Sequence, residues 1–213
     1  MARLLIIGPG NMTKHITRLK DNGKIKNEKE YFSHFDRLIE WAKAKDLLLL
    51  PDRGTPVELA RRAREKYGGN IKIIGAVPQD DKEFGIEHLM NTINIRVRTY
   101  DGDLPLLDRI INTGTWRDHH FIFSLLGDEI LYLGHTSGTF YEIGNGYYLY
   151  KLCTGKKRIR KDVRQKELHP EVRAGTNVKY VTWVYEPFIV DRFPVDFEDA
   201  VKDASGEIRY FKV

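Results

Sequence analysis

The chain has 213 residues, 41% of them hydrophobic, 31% charged and 11% aromatic, a balance that suits a folded domain with a sizeable core and excludes a disordered chain. No apolar run approaches bilayer-spanning length, and the start, MARLLIIGPGN, is too short in apolar residues for a signal peptide, so a cytoplasmic protein without membrane contact is expected. The net charge of +5 is modest but unevenly spread, and the single Cys153 can form no internal disulfide and reads as a small core residue.

Leu4 to Ile7 form an apolar tetrad ended by Gly8, Pro9, Gly10 and Asn11, which predicts a buried strand and the first βα corner. Gly8, Gly10 and Asn11 are candidate ligand neighbours, because open parallel sheets bind at the carboxyl ends of their strands. Residues 13–29 are polar, basic and interrupted by Gly23, and read as an exposed loop. Phe32, Phe35, Leu38, Ile39 and Ala42 follow helical spacing. Leu47 to Leu50 predict the second strand, and Thr55 with Glu58 predicts a capping box around Pro56. That helix runs to Tyr67 and stops at Gly68-Gly69, before a third strand from Ile71 to Val77. Strands alternating with helices at this spacing predict βαβ units and a parallel sheet.

Asn91 to Tyr100 alternates as a half-exposed strand would, Leu104 to Ile111 reads as a short helix, and Trp116 to Leu126 as a helix started near Thr115 and stopped by Gly127. Ile130 to Leu133 then predict a buried strand that breaks into the loop Gly134, His135, Thr136, Ser137, Gly138, Thr139 and continues as a helix. Strand, Gly/Ser/Thr loop and helix is a phosphate-binding geometry: free N–H groups at the helix start and the helix dipole both favour an anion. Gly134, Thr136, Ser137, Gly138 and Thr139 are therefore the candidate phosphate-binding residues, and an ordinary βα turn is the plainer alternative. Glu142, one turn in, sits awkwardly beside an anion, so it is either solvated or set there for a polar or developing positive partner. His119, His120 and His135 match no zinc spacing, and neither a metal nor a cofactor is expected.

A basic run follows, Lys156, Lys157, Arg158, Arg160, Lys161, Arg164 and Lys166, which suits either a solvated loop or nucleic acid. Val178 to Tyr185 returns to strand character, Phe197 to Val201 suggests a last helix and Ile208 to Val213 an edge strand. The expected architecture is one α/β Rossmann-like domain over 1–213, a three-layer sandwich around a mostly parallel sheet. Its core covers about 4–153 plus a strand at 178–185, with a basic excursion at 155–177 and a short C-terminal αβ addition at 187–213. The scarcity of Gln, only Gln79 and Gln165, beside plentiful charge hints at a thermophilic source.

The segment from Gly134 to Glu142 resembles the signature of SLOG-type Rossmann proteins, a strand, then PGGxGTxxE, then a helix. That family includes the "lonely guy" phosphoribohydrolases, the proteins once called lysine decarboxylases and the molybdenum-cofactor carriers. Gly138, Thr139 and Glu142 keep the second half of the motif, while Gly134, His135 and Thr136 stand where the family has PGG. The similarity spans about residues 4–153 and implies a nucleotide pocket, with Glu142 facing a ribose or acting in N-glycosidic cleavage. The family's catalytic arginine falls on His119 and its lysine on His120, and Leu50, Pro51, Asp52, Arg53 and Gly54 replace a triple-glycine turn. An imidazole cannot reproduce a guanidinium fork.

Three functional readings follow. The first is a carrier or sensor of a nucleotide or nucleotide derivative, with phosphate at 134–139. The second is a nucleoside 5'-monophosphate phosphoribohydrolase or related N-glycosidic enzyme, with Glu142 as catalytic carboxylate and His119 as acid. The third is nucleic-acid binding through 156–166. Large residues around the helix after the loop, Tyr147, Tyr148, Tyr150 and Leu152 among them, predict a homodimer unless the chain from Pro187 onward covers that face.

Overall fold

The computed structural model describes residues 1–154, 169–174 and 180–213; the basic run and the side chain of Cys153 lie outside the described residues. The strands are β1 (Arg3–Ile7), β2 (Asp46–Leu49), β3 (Ile73–Val77), β4 (Arg96–Thr99), β5 (Gly102–Pro105), β6 (Arg109–Asn112), β7 (Glu129–Tyr132), β8 (Val181–Tyr185) and β9 (Glu207–Phe211). The α-helices are α1 (Met12–Asp21), α2 (Glu28–Ala42), α3 (Thr55–Tyr67), α4 (Glu87–Ile93), α5 (Trp116–Ile122), α6 (Ser137–Thr154) and α7 (Val195–Asp203). Seven strands form one sheet in the order β6-β3-β2-β1-β7-β8-β9, every neighbouring pair parallel, and β4 with β5 makes a separate antiparallel hairpin.

The pleat sends alternate residues of each strand to opposite faces, and two cores result. Leu4, Ile6, Leu47, Leu49, Ile73 and Leu131 pack with α1, α2 and α3 on one face. Leu5, Ile7, Leu48, Ile74, Ile130 and Tyr132 pack with Phe123, Leu125 and Leu126 after α5, with α6 and with α7 on the other. Strands covered on both faces must be apolar throughout, which is why β1 shows an unbroken apolar run. This is the α/β Rossmann-like three-layer arrangement that the strand and helix spacing predicts. α7 and β9 extend it, with β9 on the edge against β8. Among the described residues no helix is long and apolar enough to cross a membrane.

Four local expectations are corrected. Residues 12–21 are helical, because Asn11 accepts the Lys14 N–H at 3.0 Å as N-cap while His15, Ile16 and Leu19 form a buried stripe within the polar segment. The stretch 91–100 is divided between α4 and β4. The predicted helix at 104–111 is instead the end of β5 and all of β6, since pairing with Val97 and with Gly75 and Ala76 outweighs the helix-like spacing of a short apolar run. The Thr55–Glu58 capping box does not form. Gly54 is the N-cap, the Thr55 hydroxyl meets the Tyr31 hydroxyl at 3.2 Å, and Glu58 binds Arg61 and Arg62. The box forms at α5, where Thr115 and Asp118 satisfy each other's backbone N–H groups.

α6 carries aromatic residues on several faces, and the C-terminal elements take one of them. The Tyr147 hydroxyl donates to the Glu207 carbonyl at 3.1 Å and accepts from Thr182 at 2.9 Å, and Tyr150 packs on Tyr180. Tyr141 and Tyr148, seven residues apart on the same helix, stay exposed.

Candidate functional site

The sheet order reverses at β1: the chain moves out through β2, β3 and β6, then returns to lay β7 on the other side of β1. Loops leaving two such strands diverge and open a crevice at their carboxyl ends. Ile7 and Tyr132 are register partners, so the exits of β1 and β7 are side by side. A Cβ on Gly8 would lie 3.1 Å from the Leu133 Cβ, so a side chain at position 8 would press the two exits apart by a few tenths of an ångström. The β2 exit closes the third side. Gly54, with φ of +82°, brings its loop so near β1 that a Cβ would overlap the Pro9 carbonyl oxygen, which accepts the Thr55 N–H at 2.9 Å.

These three exits enclose a cavity of about 210 Å³. Gly8 and Gly10 line it from the first loop, Asp52 and Arg53 from the second, Phe123 from the end of the α5 segment, and Thr136, Gly138, Thr139 and Glu142 from the α6 start. Six of the candidate residues are thus brought together: Gly8, Gly10, Thr136, Gly138, Thr139 and Glu142. Asn11, Gly134, Ser137 and His119 do not line it with the others.

The α6 start is capped from within. Thr136 Oγ1 accepts the Thr139 N–H at 3.1 Å, and Thr139 Oγ1 accepts the Thr136 N–H at 2.7 Å, a reciprocal box with threonine at both ends. The buried Thr139 hydroxyl also meets Tyr132 Oη at 3.0 Å and the Gly134 carbonyl at 2.9 Å. Both hydroxyls are thereby committed to the fold. The donors left over are the N–H groups of Ser137 and Gly138, for which the described residues supply no acceptor. A Cβ on Gly138 would meet nothing nearer than Thr136 Oγ1 at 3.8 Å, so this glycine keeps the cavity open and relieves no clash within the protein. Gly134 shapes the turn: its φ is +144°, and a Cβ would come within 2.7 Å of the His15 ring. His135 points away, donating from Nε2 to the Asp191 carbonyl at 2.8 Å and stacking on Phe140.

Glu142 is the partly buried group here with no ion pair or hydrogen bond to its carboxyl among the described residues. Its backbone carbonyl accepts from Ser124 at 2.6 Å, which fixes its place on the helix. Burial pushes the carboxyl up to about 7, so near neutral pH it is divided between acid and carboxylate. Arg53 has an exposed side chain 3.9 Å from Asp52. Among the described residues the cavity therefore combines the free N–H of Gly138, the exposed cation of Arg53, the Asp52 side chain beside it and one carboxyl that gains or loses its proton near neutrality.

His119 is placed elsewhere. It is buried with its Nδ1 2.9 Å from the Thr113 hydroxyl, its ring stacks on Phe123, and Nε2 has no hydrogen-bond partner among the described residues. Burial brings the imidazole down to about 3, so it is neutral at ordinary pH. Leu50, Asp52, Arg53, Pro56 and Phe123 line the cavity without having been singled out from sequence. Their one signal is position at the carboxyl end of β2 and of the α5 segment, and it becomes legible only when the strand order is known. Among the described residues no cluster of three His, Cys, Asp or Glu could hold a metal ion.

No protein-family model matches the chain. No curated protein matches it either. Among solved structures it is similar to the molybdenum cofactor binding protein from the phototrophic bacterium Rippkaea orientalis, at 13% identity and a TM-score of 0.45, covering 97% of this chain and 88% of that one. It is also similar to the Moco carrier protein from Chlamydomonas reinhardtii, at 14% identity and a TM-score of 0.46, covering 98% of this chain and 88% of that one.

Proposed function

We propose that the cavity binds a small anionic molecule of the nucleotide class and that the protein is its carrier or sensor. The observation that carries this reading is the N–H of Gly138, unaccepted among the described residues, on a residue that lines the cavity together with a carboxyl that protonates near neutrality. Backbone donors at the start of a long helix favour negative charge, and a protonated Glu142 adds an O–H donor where an ionised one would repel. Calorimetric titration with a panel of nucleoside monophosphates and diphosphates tests the reading. Saturable binding of phosphate-bearing compounds, weakened when Gly138→Val fills the cavity, is expected. No heat of binding at millimolar concentrations would overturn it.

A second reading is favoured by the Glu142 carboxyl alone. A group that titrates near 7 suits acid–base work in N-glycosidic cleavage, without a contribution from His119. It requires that the purified protein release free base from a nucleotide and that Glu142→Gln abolish this with the fold intact. The exposed Tyr141 and Tyr148 further support a homodimer through α6, to be checked by sedimentation at tens of micromolar; a monomer there refutes it.

A further inference from the structure

We infer that an aromatic groove beside the cavity receives a planar heteroaromatic ring, so that the ligand carries an anionic group at one end and a flat ring at the other. The inference rests on the anion-binding reading above and adds the place on the protein that holds the ring of such a molecule. The groove has a volume of about 480 Å³ and is walled by Phe84, His88, Trp116, Arg117 and His120. Of these only His120 was named from the sequence, as standing where the family that the motif resembles has its lysine.

Its walls are held in place. The Trp116 backbone N–H donates to the Asp81 carboxylate at 3.0 Å, and its indole Nε1–H donates to the Gly85 carbonyl at 3.0 Å. With both donors satisfied, the indole offers its face as the remaining means of contact. The His88 ring lies parallel to it, inclined by 9° with centroids 5.9 Å apart, and His120 stands 6.0 Å away on the next turn. Phe84 is 66% exposed, yet its loop is fixed, because the Asp81 carboxylate also accepts the N–H groups of Glu83, Phe84 and Gly85 at 3.1, 2.6 and 3.0 Å. A large apolar side chain held out in water on a tied loop exposes apolar surface that a flat ring would cover.

No residue lines both the groove and the cavity, but their walls are in contact. Asp52, which lines the cavity, places its carboxylate 4.0 Å from His88 Nε2, and Tyr141, the neighbour of Glu142, meets the His120 ring edge-on at 5.6 Å. One molecule can therefore reach both. Arg117 is already paired with Glu83 at 3.1 Å, so among the described residues the groove wall offers no unpaired Lys or Arg for a second anionic group, and its chemistry is that of stacking.

The test uses the full chain and three probes: inorganic phosphate, ribose 5-phosphate and adenosine 5'-monophosphate, titrated into wild type, Trp116→Ala and Phe84→Ala, each checked for native circular dichroism. Wild type should bind the nucleotide roughly tenfold tighter than ribose 5-phosphate. That excess should vanish in Trp116→Ala and shrink in Phe84→Ala, with ribose 5-phosphate affinity unchanged in both. Trp116→Phe should keep the excess but lose nucleotide-induced quenching of tryptophan emission. Equal affinities for the two sugar phosphates in wild type, or an excess that survives both alanine variants, overturns the ring subsite and leaves the anion cavity standing. Failure of all three probes to bind overturns both. Self-association that disappears in Trp116→Ala, without any preference for the ring, assigns the groove to a second copy of the chain and overturns the proposal.

Discussion

Glu142 concentrates the electrostatics of this site in one residue. Its raised carboxyl means that the native state holds a proton which the unfolded chain, with its ordinary value of 4.5, has already released. Stability from this group is thus fully present below about 4.5 and is lost as the pH climbs through about 7. Glu142→Gln, which cannot ionise, should raise the thermal midpoint at pH 8 and leave it nearly unchanged at pH 4; an identical effect at both values would contradict the assignment. The same proton bears on binding. An anion favours the neutral form of its neighbour, so affinity for inorganic phosphate or a nucleotide should rise between pH 8 and pH 6. The glutamine variant should flatten that profile, read by calorimetry at constant ionic strength.

At the scale of elements, the site is a product of three loops that hold one another. The β2 exit touches the β1 exit through Gly54, Pro9 and Thr55, and the β7 exit leans on the β1 exit through Gly8 and Leu133. Gly54 has a backbone conformation of φ +82° and ψ −151°, which L residues with side chains avoid. Gly54→Ala adds both backbone strain and an overlap with Pro9, and should cost about 2–4 kcal/mol in urea denaturation. Because the loops move together, it should also weaken ligand binding; a variant of wild-type stability would show that the contact is dispensable. The α6 start makes a complementary point. Its threonines commit their hydroxyls to a capping box, so on the proposed reading an anion is left the backbone N–H of Gly138, which no side-chain substitution can remove directly.

At the scale of the whole molecule, the C-terminal part is joined to the rest by the pairing of β8 with β7, and one aromatic ring adds a second attachment. Phe188 stacks on Tyr31 with centroids 4.5 Å apart and meets His15, His34, Phe35 and Tyr185 edge-on. His15 Nε2 donates to the Phe188 carbonyl at 2.9 Å, and His135 of the site loop donates to Asp191 in the same connection. On the opposite sheet face, Glu171 bridges Arg3 and Arg109. Phe188→Ala should cost about 3–5 kcal/mol by the cavity it leaves in a fully buried cluster. The loss should appear as one cooperative transition at lower temperature in calorimetry; two separated transitions would show that the C-terminal elements fold apart from the sheet.

The residue pattern alone determined the layered α/β architecture, because strands buried on both faces must be apolar throughout and the helices between them must carry an apolar stripe. It also located the α6 start and Glu142, since glycine and threonine after an apolar strand announce a helix start wherever the chain runs. The helix at 12–21 was hidden because three buried side chains, His15, Ile16 and Leu19, are scattered among lysines and arginines, and only packing shows which face is inside. β5 and β6 were hidden because Leu104 to Ile111 suits either period, and pairing settles the choice, of β5 with its neighbour β4 and of β6 with the distant β3. The cavity's other walls, Asp52, Arg53 and Phe123, and the groove around Trp116 required the strand order itself. Parallel strands bring together carboxyl ends that are separated in the chain by whole crossovers, and a local pattern carries no information about which ends will meet. Tertiary structure likewise removed His119 from the site: a histidine on a helix is polar in sequence, and only burial against Phe123 and Thr113 makes it a neutral core residue.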